Sequence, residues 1–390
     1  GWKNRFRKDR VRAARRRRLG GAIEALEDRK LLTFAIDLFS DINALGVSSN
    51  ADEVTVIGST AFFVADDGFN GAELWKTDGT SGGTVLVKDI LPGPGSSDPE
   101  QLTELGGELF FTALDSDGEI DLWKSDGTES GTVLVFDADA AGVYYLSELT
   151  RSGGNLFFTA YEQATGYELW VSDGTSGGTL LVKDINPVQT VTDRPQELTD
   201  VNGTLFFTSY DNGYYNRELW RSDGTASGTV MVADLAIDLG DLGNPADDDP
   251  TVSSNPYNLT NIGGVLYFAA EDFDLGVELF TSDGTTSGTV MVQDLNPTGS
   301  SYPSEMTALG GEVFFAAADS SGERHLYKTD GTTITLVADT TGGLGSSSPI
   351  DFEVVGGQLY FSSEGNKQAT SVSTSVPNLT AANSRLNSGY

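Results

Sequence analysis

An all-β fold, a seven-bladed β-propeller of four-stranded antiparallel blades, is predicted by three observations. The phrase ELWKTDGT at residues 73–80 returns as DLWKSDGT, ELWVSDGT, ELWRSDGT, ELFTSDGT and HLYKTDGT. Two adjacent aromatics within an apolar run occur seven times, from Phe62-Phe63 to Tyr360-Phe361. The chain also holds 47 glycines among 390 residues, as many short strands joined by tight turns require.

The phrase begins at residues 73, 121, 168, 218, 278 and 325. That period, mostly 47–50 residues, falls among the roughly 40–50-residue repeats of propellers. Within one unit, residues 146–185, LSELTRSGG predicts a first strand ending in a Gly-Gly turn. NLFFTAYE predicts a second strand, YELWVSDG a third and GTLLVKDI a fourth. Gly-Gly, like Asn202-Gly203 in the next unit, suits a hairpin whose central residues need φ > 0. Asp-Gly-Thr suits another, because the Asp carboxylate can accept a backbone N–H two residues on. A longer Pro/Ser-rich stretch such as NPTGSSYPSE then crosses to the next unit. Helical repeats would need a 3.6-residue apolar period, which these alternating runs lack.

The chain ends predict closure. Asp41-Ile42-Asn43 matches Asp184-Ile185-Asn186 at the end of a fourth strand, so residues 34–43 read as a fourth strand with no blade of its own. Residues 351–355 and 358–362 read as first and second strands after the last full phrase. Pairing these N- and C-terminal strands makes the seventh blade and removes two open sheet edges. Residues 34–373 are thus the propeller, and the Ser/Thr/Asn-rich residues 374–390 a tail or linker.

Net charge is −33, unevenly spread. Residues 1–30 carry 12 Lys/Arg against four Asp/Glu, leaving a body with 12 basic and 53 acidic side chains. Such a body repels nucleic acid and attracts cations. No apolar run is long enough for a transmembrane helix. Cysteine is absent, which excludes disulfides and thiolate sites. Residues 1–33 read as a basic, largely non-globular export or targeting segment. Within it EALEDRKLLT, with Leu26, Glu27, Arg29, Leu31 and Leu32, resembles the LEPR-x-LL motif of exported bacterial surface proteins, and that resemblance implies export. The six phrases, each followed by an apolar strand, resemble the ELWxxDGT-repeat family of bacterial extracellular proteins. This likeness implies a β-architecture outside the cell and carries over no catalytic residue.

Trp75, Trp123, Trp170 and Trp220 share one slot, read as packing between blades, with sugar stacking the alternative. Asp78, Asp126, Asp173, Asp223, Asp283 and Asp330 share another, read as turn residues, with cation binding the alternative. Asp115, Asp117, Glu119 and Asp121 alternate around Gly118 like a short calcium-binding loop, although the full EF-hand pattern is missing. Calcium is the single cofactor the sequence suggests. Catalysis has little support: His325 is the only histidine and lies in a degenerate phrase, so a His-based zinc site is excluded. The expectation is a non-catalytic structural or recognition propeller at the cell surface, binding a protein or glycan through variable loops. The alternative is a carbohydrate-active enzyme using carboxylates on one face.

Overall fold

The structure is a computed structural model and describes residues 41–43, 47–187, 194–210, 217–235, 253–338, 348–363 and 370–373. The chain divides into two compact units, Gly1–Asp41 and Ile42–Tyr390. Residues 1–40, 236–252 and 374–390 lie outside the described residues.

Among the described residues, the second unit holds seven antiparallel sheets, six of four strands and one of three. The sheets are blades 1–7, spanning residues 52–88, 100–136, 143–183, 196–233, 257–293, 304–338 and 349–373. Strands follow sequence order across each blade; in blade 1 they are Asp52–Ile57, Thr60–Asp66, Ala72–Thr77 and Val85–Lys88. Each blade's first strand lies beside the first strand of the next, from blade 1 through blade 7. The first turns have the expected conformation: Gly106-Gly107 has φ of 64° and 89°, and Asn202-Gly203 of 53° and 85°.

The second strand is the core of each blade. Phe111, Phe157, Phe158, Phe207, Phe268 and Phe315 are completely buried. Each contributes about 1.5–3 kcal/mol by leaving water. The apolar clusters straddle neighbouring blades: Phe62, Leu74 and Ile90 of blade 1 pack with Leu109, Phe111 and Trp123 of blade 2.

Closure by pairing residues 34–43 with 351–362 is not seen. Residues 34–40 lie outside the described residues, and residues 41–43 form no strand. Blade 7 takes its third strand from Thr370–Ser373, which pairs with Gln358–Ser363. Ile42 nevertheless packs against Trp75 of blade 1, as Ile185, just after blade 3, packs with Trp220 of blade 4.

Candidate functional site

The repeated phrase resolves into hydrogen bonds and contacts. Asp78 Oδ1 accepts both the backbone N–H and the hydroxyl of Thr80, at 2.9 and 2.7 Å. Asp126, Asp173, Asp223, Asp283 and Asp330 do the same with the Thr two residues on. Those bonds hold all six carboxyls below the ordinary aspartate range. A Cβ on Gly83, Gly131, Gly178, Gly228 or Gly288 would sit 2.0–2.1 Å from the carboxylate of its turn, so that glycine is part of the motif. The DGT glycine faces the preceding blade: a Cβ on Gly174 would come 2.9 Å from Phe110, and one on Gly284 3.0 Å from Phe206.

The tryptophans lie in the same joints. Trp170 stacks on Phe158 of its own blade at 6.4 Å and meets Phe136 of blade 2 at 6.1 Å. The ammonium groups of Lys88 and Lys183 lie 5.8 and 5.6 Å from the Trp123 and Trp220 rings of the following blades. Trp75 is in the Ile42 cluster, and all four are buried or nearly so.

The glutamate of the phrase is a residue that pattern reading passes over. Glu73, Glu168, Glu218 and Glu278 are at most 1% exposed. Each pins the crossing to the next blade. Glu73 accepts from Ile90 N at 3.0 Å, Ser97 N at 3.0 Å and Ser97 Oγ at 2.5 Å. Glu278 holds Leu295 N and Ser301 in the same way, and Glu218 holds Ser254. Burial pushes Glu168 up to about 8 and Glu218 up to about 7. The available signal was a charged residue at an inward-alternating position beside Leu and Trp.

A second clamp joins the first strands. Each carries a bulge whose residue has φ of 57–61°: Glu53, Gln101, Glu148, Glu197, Asn258, Glu305 and Asp351. The bulge turns the side chain toward the next blade. Gln101 Oε1 accepts from Leu149 N at 3.0 Å, and the Thr103 hydroxyl donates to Leu149 O at 3.2 Å. Glu197 and Thr199 hold Leu259 by the same pair of contacts. The threonines are therefore joints between neighbouring blades.

Among the described residues, individuality is concentrated in blades 2 and 3, where strands one and three begin. Blade 3 opens with a ten-residue first strand, Val143–Ser152, against six in blades 1, 2, 4, 5 and 6. Its extension carries Tyr144 and Tyr145, 38% and 60% exposed. Tyr145 meets Tyr161 and Tyr167 at 6.3 and 6.2 Å, and those two meet edge-to-face at 5.2 Å. In blade 2, Asp121 occupies the phrase's glutamate slot and is completely buried, beside Asp137 and Asp139. Of the sequence-predicted calcium loop, Asp115 Oδ1 accepts from Asp117 N at 2.8 Å, and Asp117 and Glu119 are exposed. Only Asp121 of those four enters the three-carboxylate group.

His325 lies 3.4 Å from Asp319, whose other oxygen accepts from Ser321 Oγ at 2.5 Å. The carboxylate stands between hydroxyl and imidazole. A nucleophilic triad needs the imidazole in the middle, so this trio is not one.

No family model matches the sequence, and comparison with curated proteins yields no relative. Solved structures do resemble it. A puromycin hydrolase mutant is 15% identical over 85% of this chain and 54% of its own, with a TM-score of 0.43. A prolyl endopeptidase is 12% identical over 86% of this chain and 50% of its own, with a TM-score of 0.47. The propeller domain of the Trilobed protease from Pyrococcus furiosus, described as having an open velcro topology, is 12% identical over 88% of this chain and 100% of its own, with a TM-score of 0.42. The chain spans about half the length of the first two. At these identities the likeness concerns the fold. The functional expectation drawn from sequence is not met by these neighbours: they are peptidases, a puromycin hydrolase and a protease's propeller domain, and none of them is a non-catalytic surface protein or a carbohydrate-active enzyme.

Proposed function

We propose that the chain is a protease-associated propeller, a module that holds extended polypeptide while a separate unit performs the cleavage. The observation that carries this reading is the four-tyrosine cluster of blade 3, with Tyr144 and Tyr145 exposed over half-buried Tyr161 and Tyr167, set in a strongly acidic body. Tyrosines give large contact area at small entropic cost, and an acidic surround favours basic segments. The test is calorimetric titration of the full chain with a short extended peptide of lysine and aromatic residues. Saturable binding is expected, weakened about fivefold or more by Tyr145→Ala and by Tyr161→Ala. Affinity untouched by both substitutions, or no binding at all, defeats the reading.

The finer architecture belongs to the same proposal: closure would seat blade 7 on a face of blade 1 that stands open among the described residues. Val54 is 68% exposed, whereas its equivalents Leu102, Leu149 and Leu259 are buried by a preceding blade. Nothing lies within 4 Å of a Cβ on Gly79, where later blades place an aromatic. Tyr360 is the residue that closure brings there, by analogy with Tyr267 beside Gly331.

A further inference from the structure

We propose that Asp121, Asp137 and Asp139 bind a divalent cation of the calcium class at the crossing from blade 2 to blade 3. One oxygen from each carboxylate lies within 4.8 Å of the others. Asp121 supplies the independent sign. Its side chain is completely buried, Oδ1 accepts Ala138 N at 2.8 Å, and Oδ2 has no hydrogen-bond partner.

Comparison within the chain explains the difference. In blades 1, 4 and 5 a glutamate fills this slot, and a crossing-loop serine satisfies it: Ser97, Ser254 and Ser301. Blade 2 has a side chain one methylene shorter. Its crossing is a tight turn, closed by Val143 N on Ala138 O at 2.8 Å, with no serine to donate. The turn contributes a carboxylate, Asp139, where blades 1, 4 and 5 contribute a serine donor. Asp137 is exposed and Asp139 half-exposed, so the site opens to solvent on one side. Asp115, Asp137 and Asp139 all bring negative charge to the buried Asp121. A cation relieves both the repulsion and the stranded oxygen. Three hard carboxylates and an open side suit calcium, which takes six to eight oxygens in adaptable geometry. Magnesium demands a stricter octahedron.

The experiment is calorimetric titration of the EDTA-treated full chain with calcium chloride and separately with magnesium chloride. Thermal unfolding with and without each metal accompanies it. One saturable calcium site is expected, tighter than magnesium, with unfolding shifted upward by calcium. Asp139→Asn and Asp137→Asn should weaken calcium at least tenfold, while their unfolding in EDTA stays at or above that of the native chain. Asp117→Asn, on the neighbouring hairpin, should bind as the native chain does. Absence of saturable calcium binding overturns the proposal, as does undiminished binding in Asp139→Asn.

Discussion

At the scale of single residues, the acid in the ELW phrase is the most consequential. Glu168 is 1% exposed, accepts Asn186 N at 3.1 Å and sits near Asp184. Burial first, and then the charge of Asp184, push it up to about 8. An unfolded glutamate titrates near 4.3. Between those values the folded chain keeps a proton that the unfolded chain has lost, so stability falls as pH rises. The contribution is fully present below about pH 4 and gone above about pH 8. Glu168→Gln cannot titrate. Denaturant unfolding at pH 5 and pH 8 should therefore move in the variant's favour by about 3 kcal/mol relative to the native chain. A pH-independent difference between the two proteins contradicts that assignment. The exposed DGT aspartates behave oppositely, because hydrogen bonds from Thr hold them down.

At the scale of the element, strands and turns were legible because each has its own local cause. Alternation places Phe158 and Leu156 inward, and positive φ places Gly153-Gly154 in the turn. The joints between blades were less legible. The clamp of Gln101 and Thr103 on Leu149 needs a bulge, and a bulge is a register change that alternation does not encode. Glycine substitutions separate turn strain from joint packing. Gly118 and Gly174 have φ of 83° and 86°, but only Gly174 meets an aromatic of the preceding blade. Gly118→Ala should cost about 1 kcal/mol from backbone strain alone. Gly174→Ala should cost about 1–3 kcal/mol more, because Phe110 must move. Gly79→Ala tells whether blade 7 closes on blade 1. It should resemble Gly174→Ala if Tyr360 packs there, and a cost equal to that of Gly118→Ala argues for an open joint. Differences in unfolding midpoint at constant slope measure all three.

At the scale of the whole molecule, repetition and its breaks divide the labour. Six phrases build joints, and their regularity is why the blade architecture could be read from spacing alone. The departures in blades 2 and 3 are where both proposed sites lie. They were partly visible: the run of aspartates at 115–121 drew the eye, but Asp137 and Asp139 lie in the next crossing, and only the fold brings them to Asp121. The tyrosine cluster was harder to see, since Tyr144, Tyr145, Tyr161 and Tyr167 come from three strands. The central claim is that polypeptide is held at this place. Hydrogen–deuterium exchange of the full chain, with and without a saturating lysine- and aromatic-containing peptide, tests it most directly. Protection concentrated in residues 137–147 and 161–167 is the predicted result. Protection spread evenly over the seven blades, or confined to the DGT turns, contradicts it.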